Sequence, residues 1–235
     1  KIKLPKGWTV ASIEALRNEN HGAKAEEEKL IYTIDPSVIF TFTGMANKKS
    51  VDAVLSALQE IDGKGTFFVT EIELRRYPDA IRSVVDAGQE IGICIYPRPE
   101  QDFVDICAEI LRIKEILKRK FNIETQLIKQ FSGVIREDTK EAIATMGCRL
   151  ISSNINAVQN RHKDYQTAEQ ILPEILEPAV YSRGRGWIIN IRMEFYTRDS
   201  WAAELTLHIK RKKIGNIAYN SYDDVYGVKP ENDLG

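Results

Sequence analysis

Residues 63–92 read GKGTFFVTEIELRRYPDAIRSVVDAGQEIG, and this stretch predicts one strand–helix–strand unit. The run Thr66–Val69 is short, apolar and rich in aromatic and β-branched side chains, as buried strands are. Apolar residues then recur at helical spacing over residues 81–85, and Gly88 is suited to a left-handed helix cap. A second apolar run, Glu90–Ile95, follows the cap. Two parallel strands joined by a crossover helix are therefore expected.

The same alternation continues along the chain. Seven apolar runs predict strands, at Val38–Phe42, Thr66–Val69, Glu90–Ile95, Glu124–Ile128, Cys148–Ser152, Trp187–Ile191 and Ile214–Tyr219. Helical spacing predicts helices near residues 51–61, 81–85, 103–117 and 135–146, with weaker ones near Thr167–Leu176 and Ser200–Arg211. This pattern favours an α/β fold with a closed or nearly closed (β/α) barrel of about seven parallel strands over an open doubly wound sheet.

The first 33 residues differ from the rest. They contain a charge run at Lys24–Lys29 and a short amphipathic pattern between Trp8 and Leu16. They are interpreted either as a segment that caps the barrel or as a partner-binding segment. The predicted organisation is an N-terminal extension at residues 1–33, one domain at residues 34–228 and a C-terminal tail at residues 229–235.

Composition excludes several classes of protein. Of the 235 residues, 33 are Lys or Arg and 34 are Asp or Glu, which gives a net charge of −1. This neutral balance argues against a nucleic-acid partner, because a duplex-binding protein needs a basic surface. No apolar run approaches the roughly 18 residues of a membrane span. The hydrophobic share of 43% is typical of a globular protein.

Cysteine and histidine are scarce. Three widely spaced cysteines fit neither a disulfide framework nor a CxxC metal site, and no two histidines have metal-ligand spacing. These residues are Cys94, Cys107, Cys148, His21, His162 and His208.

Four spans of the sequence resemble the polysaccharide deacetylase domain, also called the NodB homology domain of carbohydrate esterase family four. The segment GTFFV at Gly65–Val69 is similar to the ATFFV strand of that family. The segments YP at Tyr77 and VDAGQEIG at Val85–Gly92 are similar to its YP and GHEIG segments. The other two spans are Val38–Gly44 and Glu137–Gly147. The resemblance extends in matching order over residues 34–226, and it too implies a distorted (β/α) barrel.

The resemblance implies metal-dependent hydrolysis of N- or O-acetyl groups on sugars, in which zinc or another divalent metal polarises the carbonyl and activates water. The family motif TFDDG supplies an aspartate base and an aspartate ligand, but this chain has Thr43 and Gly44 there. The motif H-[ST]-x-x-H supplies two histidine ligands, but this chain has Cys94 and Arg98. Among these positions, only the thiol of Cys94 is able to coordinate a metal.

The remaining motifs differ in the same way. The family RxPYG motif reads KQFSG here and keeps a positive charge at Lys129. The WxxDP motif has no Trp or Asp near residues 152–156, and the LH motif places Arg192 where a general-acid histidine is expected. Arginine stays protonated and is a poor proton donor. The sequence therefore predicts a pseudoenzyme with no catalytic residue, no bound metal and no cofactor.

The replaced residues suggest a binding role instead. Arg98, Lys129 and Arg192 follow strand ends, where three cations would attract phosphate, carboxylate or uronic acid groups. Four aromatic side chains near these strand ends are expected to stack on sugar rings, namely Tyr96, Phe131, Trp187 and Phe195.

Two alternatives remain open for this region. In the first, the arginines pair internally with Glu194 or Asp35 and close a dead site. In the second, carboxylates such as Asp35, Glu194 and Asp199 form a relocated catalytic pair. The chain would then be an active hydrolase of ester or non-peptide carbon–nitrogen bonds in acetylated polysaccharide.

By resemblance, the expected role is a carbohydrate-binding or anion-binding module, or a scaffold, in cell-envelope polysaccharide metabolism. The expected partner is a polysaccharide or an anionic glycan, with flanking domains of a larger envelope protein as further candidates. The expected location is extracellular or in the cell envelope.

Overall fold

The computed structural model describes residues 2–32, 37–157, 167–170, 173, 186–195, 198–211 and 215–216. These residues form two units. The first unit comprises Lys1–Glu28, Phe67–Asp86 and Ile91–Ser152, and the second comprises Lys29–Thr66, Ala87–Glu90 and Ser153–Gly235.

The described helices and strands alternate along most of the chain. In chain order they are α1 (Val10–Glu19), β1 (Glu27–Glu28), β2 (Leu30–Ile31), β3 (Ser37–Thr43), α2 (Lys48–Glu60), β4 (Gly65–Val69), α3 (Glu71–Arg76), α4 (Pro78–Asp86), β5 (Glu90–Ile95), α5 (Phe103–Phe121), β6 (Leu127–Gln130), α6 (Glu137–Thr145), β7 (Arg149–Ile151), β8 (Ile155–Asn156), β9 (Gly186–Arg192), a 3₁₀ turn (Met193–Phe195), α7 (Trp201–Arg211) and β10 (Gly215–Asn216).

The first unit contains parallel strands in the order β1, β7, β6, β5. Helix α1 belongs to this unit and is tied to α6 by Arg17, whose Nε lies 2.7 Å from Glu141 Oε1. Strand β1 is tied to β7 through Arg149 and Glu28, 2.8 Å apart. The predicted division of the chain at residue 33 stays a prediction.

In the second unit, β3 pairs in parallel with β9 along six residues, from Val38 opposite Trp187 to Thr43 opposite Arg192. Strands β8 and β10 also pair in parallel, with β9 and β3 respectively. Strand β2 is antiparallel to β9. The expectation of parallel strands alone was therefore incomplete, and the sheet is mixed.

Six of the seven predicted strands are present, with bounds shifted by a few residues. Of the seventh, Ile214–Tyr219, the structure describes only Gly215–Asn216, which form β10, and the rest lies outside the described residues. The structure adds the two-residue strands β1, β2 and β8, and it adds α3. Helix α3 has only six residues and one buried side chain, Leu74, so it offers no apolar stripe. Its sequence signal is the capping box formed by Thr70 and Glu73. Of the predicted helix at Thr167–Leu176, the structure describes residues 167–170 and 173, and the others lie outside the described residues.

Two glycines of the quoted stretch let aromatic rings approach the backbone of the strands. A β-carbon on Gly92 in β5 would lie 2.5 Å from the ring of Phe68. In the second unit, a β-carbon on Gly65 would lie 2.6 Å from the ring of Phe42. Both rings are fully buried, so these positions accept only glycine without repacking. No described helix is long and apolar enough to cross a membrane.

Candidate functional site

In the second unit, the carboxyl ends of β3 and β9 lie side by side. Thr41 pairs with Asn190 and Thr43 pairs with Arg192. The Thr41 hydroxyl donates a hydrogen bond to the Ile189 carbonyl, 2.9 Å away. Thr43, where the resemblance places the family base, is buried, and its hydroxyl makes no hydrogen bond to a described residue. No described group is therefore bonded to Thr43 in a way that would activate it as a base.

Gly44, where the resemblance places the family aspartate ligand, faces the carboxylate of Glu194. Gly44 has a φ of +90°, a conformation that disfavours any residue with a side chain. A β-carbon built on Gly44 would overlap the Glu194 side chain at Oε2 and Cδ. Glu194 belongs to the 3₁₀ turn that follows β9, and the Met193 carbonyl of this turn accepts a hydrogen bond from Ser50, 3.3 Å away. The structure thus places a carboxylate where an aspartate side chain would start.

Arg192 forms an ion pair with the same glutamate. Arg192 Nη2 lies 3.5 Å from Glu194 Oε1, and both side chains are half-buried. This contact matches one partner of the internal-pairing alternative, whereas Asp35 lies outside the described residues. Because its guanidinium is paired with the Glu194 carboxylate, Arg192 is less available to bind an anionic ligand than the sequence suggested.

In the first unit, Cys94 on β5 and Lys129 on β6 are register partners, and both are buried. Burial lowers the pKa of Lys129 to about 8. Its side chain forms no hydrogen bond or ion pair with any residue that the structure describes. With 5% of its surface exposed, Lys129 is not the surface cation that the sequence suggested.

Arg98 lies in the loop after β5, and its side chain is 65% exposed. Arg98 forms an ion pair with Glu100, which is equally exposed and lies 3.2 Å away. The loop itself is well anchored. The Gln101 side chain accepts a hydrogen bond from the Arg98 backbone N–H at 2.7 Å, and Arg136 donates to the carbonyls of Pro99 and Gln101 at 3.1 and 2.6 Å.

A cleft of about 680 Å³ opens beside this loop, and we call it the unit-one cleft. It is lined by Thr70, Glu71, Ile72, Arg75, Tyr96, Arg98, Gln101, Glu109, Arg112 and Phe131. Tyr96 is 58% exposed and meets Phe131 edge-on, with ring centroids 5.8 Å apart. The structure therefore brings together two of the sequence-predicted binding residues, Tyr96 and Arg98, in one concave surface.

The other charged residues of the unit-one cleft were not identified from the sequence. Glu71 accepts hydrogen bonds from Arg75 at 2.7 Å and Arg112 at 3.1 Å, and these contacts lower its pKa. Burial raises the pKa of Glu109, which is one helical turn from Arg112 on α5. Glu109 and Arg112 are three residues apart on α5, a spacing that brings their charges together. The same spacing is common on helices with no binding role, so it did not identify the cleft.

Trp187 does not lie at the carboxyl end of its strand. It is the second residue of β9, whereas Arg192 is the last, so about 16 Å of strand separates them. The expected contribution of Trp187 to the strand-end site is therefore corrected. His208 lies on α7, 4.0 Å from Glu169, and His162 lies outside the described residues.

The residues that the resemblance places at the family ligand positions do not fit a divalent metal. Gly44 has no side chain, Glu194 fills the adjoining space and is paired with Arg192, and Arg98 is a permanent cation. Within the described ranges, no group of three His, Cys, Asp or Glu side chains is placed to hold a metal ion. A zinc site needs about three protein ligands.

Comparison with known proteins gives one matching family, named Polysaccharide deacetylase, whose sequence model matches residues 31–151, just over half of the chain. No curated protein matches the sequence. Several solved structures match the fold at low identity. A CE4 family pseudoenzyme from Bacillus anthracis has a TM-score of 0.70 and 15% identity, covering 85% of this chain and 69% of that one. A mutant of that pseudoenzyme, described as having restored enzymatic activity, has a TM-score of 0.67 and 17% identity, covering 83% and 71%.

Two deacetylases have the same fold. Peptidoglycan deacetylase PdaC from Bacillus subtilis has a TM-score of 0.65 and 16% identity, covering 82% of this chain and 94% of that one. The chitin deacetylase from Colletotrichum lindemuthianum has a TM-score of 0.66 and 17% identity, covering 85% and 92%. The predicted fold class, a distorted (β/α) barrel of the deacetylase type, is confirmed by these matches.

Proposed function

This chain belongs to the polysaccharide deacetylase family, and from that premise we propose that it is a catalytically inactive member which binds a polysaccharide or anionic glycan. The proposal has two parts. The first is the loss of acetyl hydrolysis, and the second is a retained role in binding or scaffolding. They are supported by different residues and are tested separately.

The observation that carries the first part is the position of the Glu194 carboxylate over Gly44. In the family, this position supplies an aspartate ligand to a metal. Here the side chain is missing, and its space is taken by a carboxylate already paired with Arg192. Loss of a metal and of a general base removes several kcal/mol of transition-state stabilisation and roughly 10²–10⁴-fold in rate, respectively.

The solved relatives support the idea that this fold persists without the activity. They include a pseudoenzyme as well as peptidoglycan and chitin deacetylases, all with similar TM-scores. Function in such folds depends on the site and not on the scaffold. The scaffold of this chain keeps its buried strands, its caps and its close-packed glycines.

The second part of the proposal is glycan binding in the cell envelope or outside the cell. Peptidoglycan and chitin, named for two solved relatives, are cell-wall polysaccharides. Tyr96 and Arg98 provide an exposed ring and an exposed cation of the kind that such a ligand needs. If no glycan binds, the proposed role is that of a scaffold within a larger envelope protein.

Elemental analysis tests the metal part of the proposal. The chain is loaded with zinc, cobalt or nickel, dialysed against a weak chelator and measured for bound metal per chain. We expect no stoichiometric metal. Stoichiometric metal that is lost in a Cys94→Ser or Glu194→Gln variant would contradict the proposal, because those side chains would then be ligands.

A second candidate function is hydrolysis by relocated carboxylates, and one observation favours it. The unit-one cleft contains Glu71, whose pKa is lowered, and Glu109, whose pKa is raised by burial. Carboxyl groups with pKa values pushed apart are typical of acid–base pairs. Against this, Glu71 is already bound by two arginines. Turnover of an acetylated or glycosidic substrate that is abolished by Glu109→Gln would favour this candidate.

A further inference from the structure

We infer that the unit-one cleft is the glycan-binding site and that its ligand is an acidic glycan, in which one sugar ring packs on Tyr96 and a carboxylate is bound by Arg98. This inference rests on the proposed function. It adds the location of the site and the chemical class of the ligand.

The aromatic pair gives the cleft a surface for a sugar ring. Phe131 contacts Tyr96 edge-on, at an interplanar angle of 85°, and supports the ring from one side. Tyr96 remains 58% exposed, which is high for a large side chain at a strand end. The C–H face of a pyranose is apolar and packs well on such a ring, while the phenol hydroxyl can bond sugar hydroxyls.

The charge of the cleft favours an acidic ligand. Three arginines line it, against two glutamates. Glu71 is occupied by Arg75 and Arg112, and the raised pKa of Glu109 makes this carboxyl less readily ionised. Arg98 is the most exposed of the three arginines of the cleft, and its contact with Glu100 is solvent-exposed and weak. Arg98 can therefore exchange Glu100 for a ligand carboxylate and bind it through two N–H groups.

The loop that carries Tyr96 and Arg98 is already held in place. Gln101 fixes the Arg98 backbone N–H, and Arg136 holds two carbonyls of the same loop. Because the loop needs little ordering on binding, less affinity is lost to conformational entropy. Arg136 is thus a positioning residue, while Tyr96 and Arg98 would contact the ligand.

The test compares two hexasaccharides by isothermal titration calorimetry with the full 235-residue chain. Hyaluronan hexasaccharide alternates N-acetylglucosamine with glucuronate, whereas chitohexaose contains N-acetylglucosamine only. We expect measurable binding of the hyaluronan hexasaccharide, weaker binding of chitohexaose, and a loss of affinity as salt is raised. Sodium acetate alone is included to detect binding of a carboxylate without its sugar.

Four variants locate the site. Tyr96→Ala is expected to weaken binding about tenfold, and Arg98→Ala about fivefold or more. The matched controls are Tyr32→Ala and Arg119→Ala, which change exposed residues outside the cleft and should bind as the unchanged chain does. Thermal unfolding of each variant confirms that it is folded.

The possible results separate this inference from the proposed function. If the unchanged chain binds the acidic hexasaccharide but Tyr96→Ala and Arg98→Ala bind equally well, the cleft assignment is wrong while the binding role stands. If chitohexaose binds as tightly as the acidic ligand, the acidic class is wrong. If neither hexasaccharide binds, the inference and the glycan-binding half of the proposed function both fail.

Discussion

The Glu194 carboxylate lies in the space that a β-carbon at Gly44 would occupy. The two residues are far apart in sequence but are brought together because β3 and β9 pair in parallel up to Thr43 and Arg192. Substitutions at positions 44 and 194 should therefore have coupled effects on stability. Any side chain restored at position 44 must first displace Glu194, and Glu194 is held by Arg192.

The first prediction concerns this coupling. Gly44→Asp should destabilise the protein by about 2–4 kcal/mol, because it combines strain at positive φ with an overlap. Adding Glu194→Ala should recover at least about 1 kcal/mol of that loss. Urea unfolding of the two single variants and the double variant measures the coupling.

A matched control separates strain from overlap. Gly7 has the same φ of +90° as Gly44, but a β-carbon there would meet nothing within 4 Å. Gly7→Asp should therefore show the strain alone. If the effects of Gly44→Asp and Glu194→Ala are simply additive, the overlap does not exist in solution.

The second prediction concerns the buried amine of Lys129. Its pKa in the folded protein is about 8, below its ordinary value of 10.5, so unfolding takes up a proton between those values. Stability should therefore rise as the pH increases from about 8 to 10.5. At pH 7, Lys129→Met should stabilise the protein by an amount on the order of 3 kcal/mol, and the gain should shrink at higher pH.

Denaturant unfolding at pH 7 and pH 9.5 measures this effect. Lys129→Arg serves as the control, because a guanidinium stays charged at both values and should not remove the penalty. If Lys129→Met raises the free energy of unfolding equally at both pH values, burial does not lower the pKa of the Lys129 amine.

The third prediction concerns Glu109. Burial raises the pKa of this carboxyl above 4.5, so the folded protein holds the proton more tightly than the unfolded chain. Its contribution to stability is full below pH 4.5 and is lost as the pH rises towards the folded pKa. Glu109→Gln should thus be more favourable relative to the unchanged chain at pH 7 than at pH 4. The opposite trend would mean that Arg112 outweighs burial.

The fourth prediction concerns close packing in the first unit. Gly92→Ala should destabilise the protein by about 1–3 kcal/mol, because its methyl group would press on the ring of buried Phe68. Gly88→Ala is the comparison, because a β-carbon at Gly88 would meet no atom within 4 Å. Any loss of stability there comes from backbone strain at its φ of +69° and not from a steric overlap. Replacing the ring with a smaller side chain in a Gly92→Ala/Phe68→Leu variant should recover part of the lost stability. Thermal unfolding that is unchanged by Gly92→Ala would contradict this packing.

Six of the predicted strands could be read from the sequence because each buried strand carries its apolar and β-branched composition locally. Helix α3 was missed, since six residues with one buried side chain show no periodic stripe. The loss of metal ligands at Gly44 and Arg98 stays a prediction, because it follows from the order of the motifs in the sequence.

The contact of Glu194 with Gly44 was not predictable, since it depends on the register between two strands separated by most of the chain. The charged residues of the unit-one cleft, Glu71, Glu109 and Arg112, come from two helices whose faces are set by packing. Trp187 was assigned to the wrong end of its strand, because it is the second residue of β9 and not near the carboxyl end.

The most direct test of the central proposal is acetate release by the 235-residue chain. Chitohexaose and acetylated xylan are incubated with the protein and added zinc, cobalt or manganese, beside a metal-only blank and an active deacetylase. We expect no acetate above the blank under any of these conditions. Robust turnover that disappears in Thr43→Ala or Glu194→Gln would contradict it, because those side chains would then take part in catalysis.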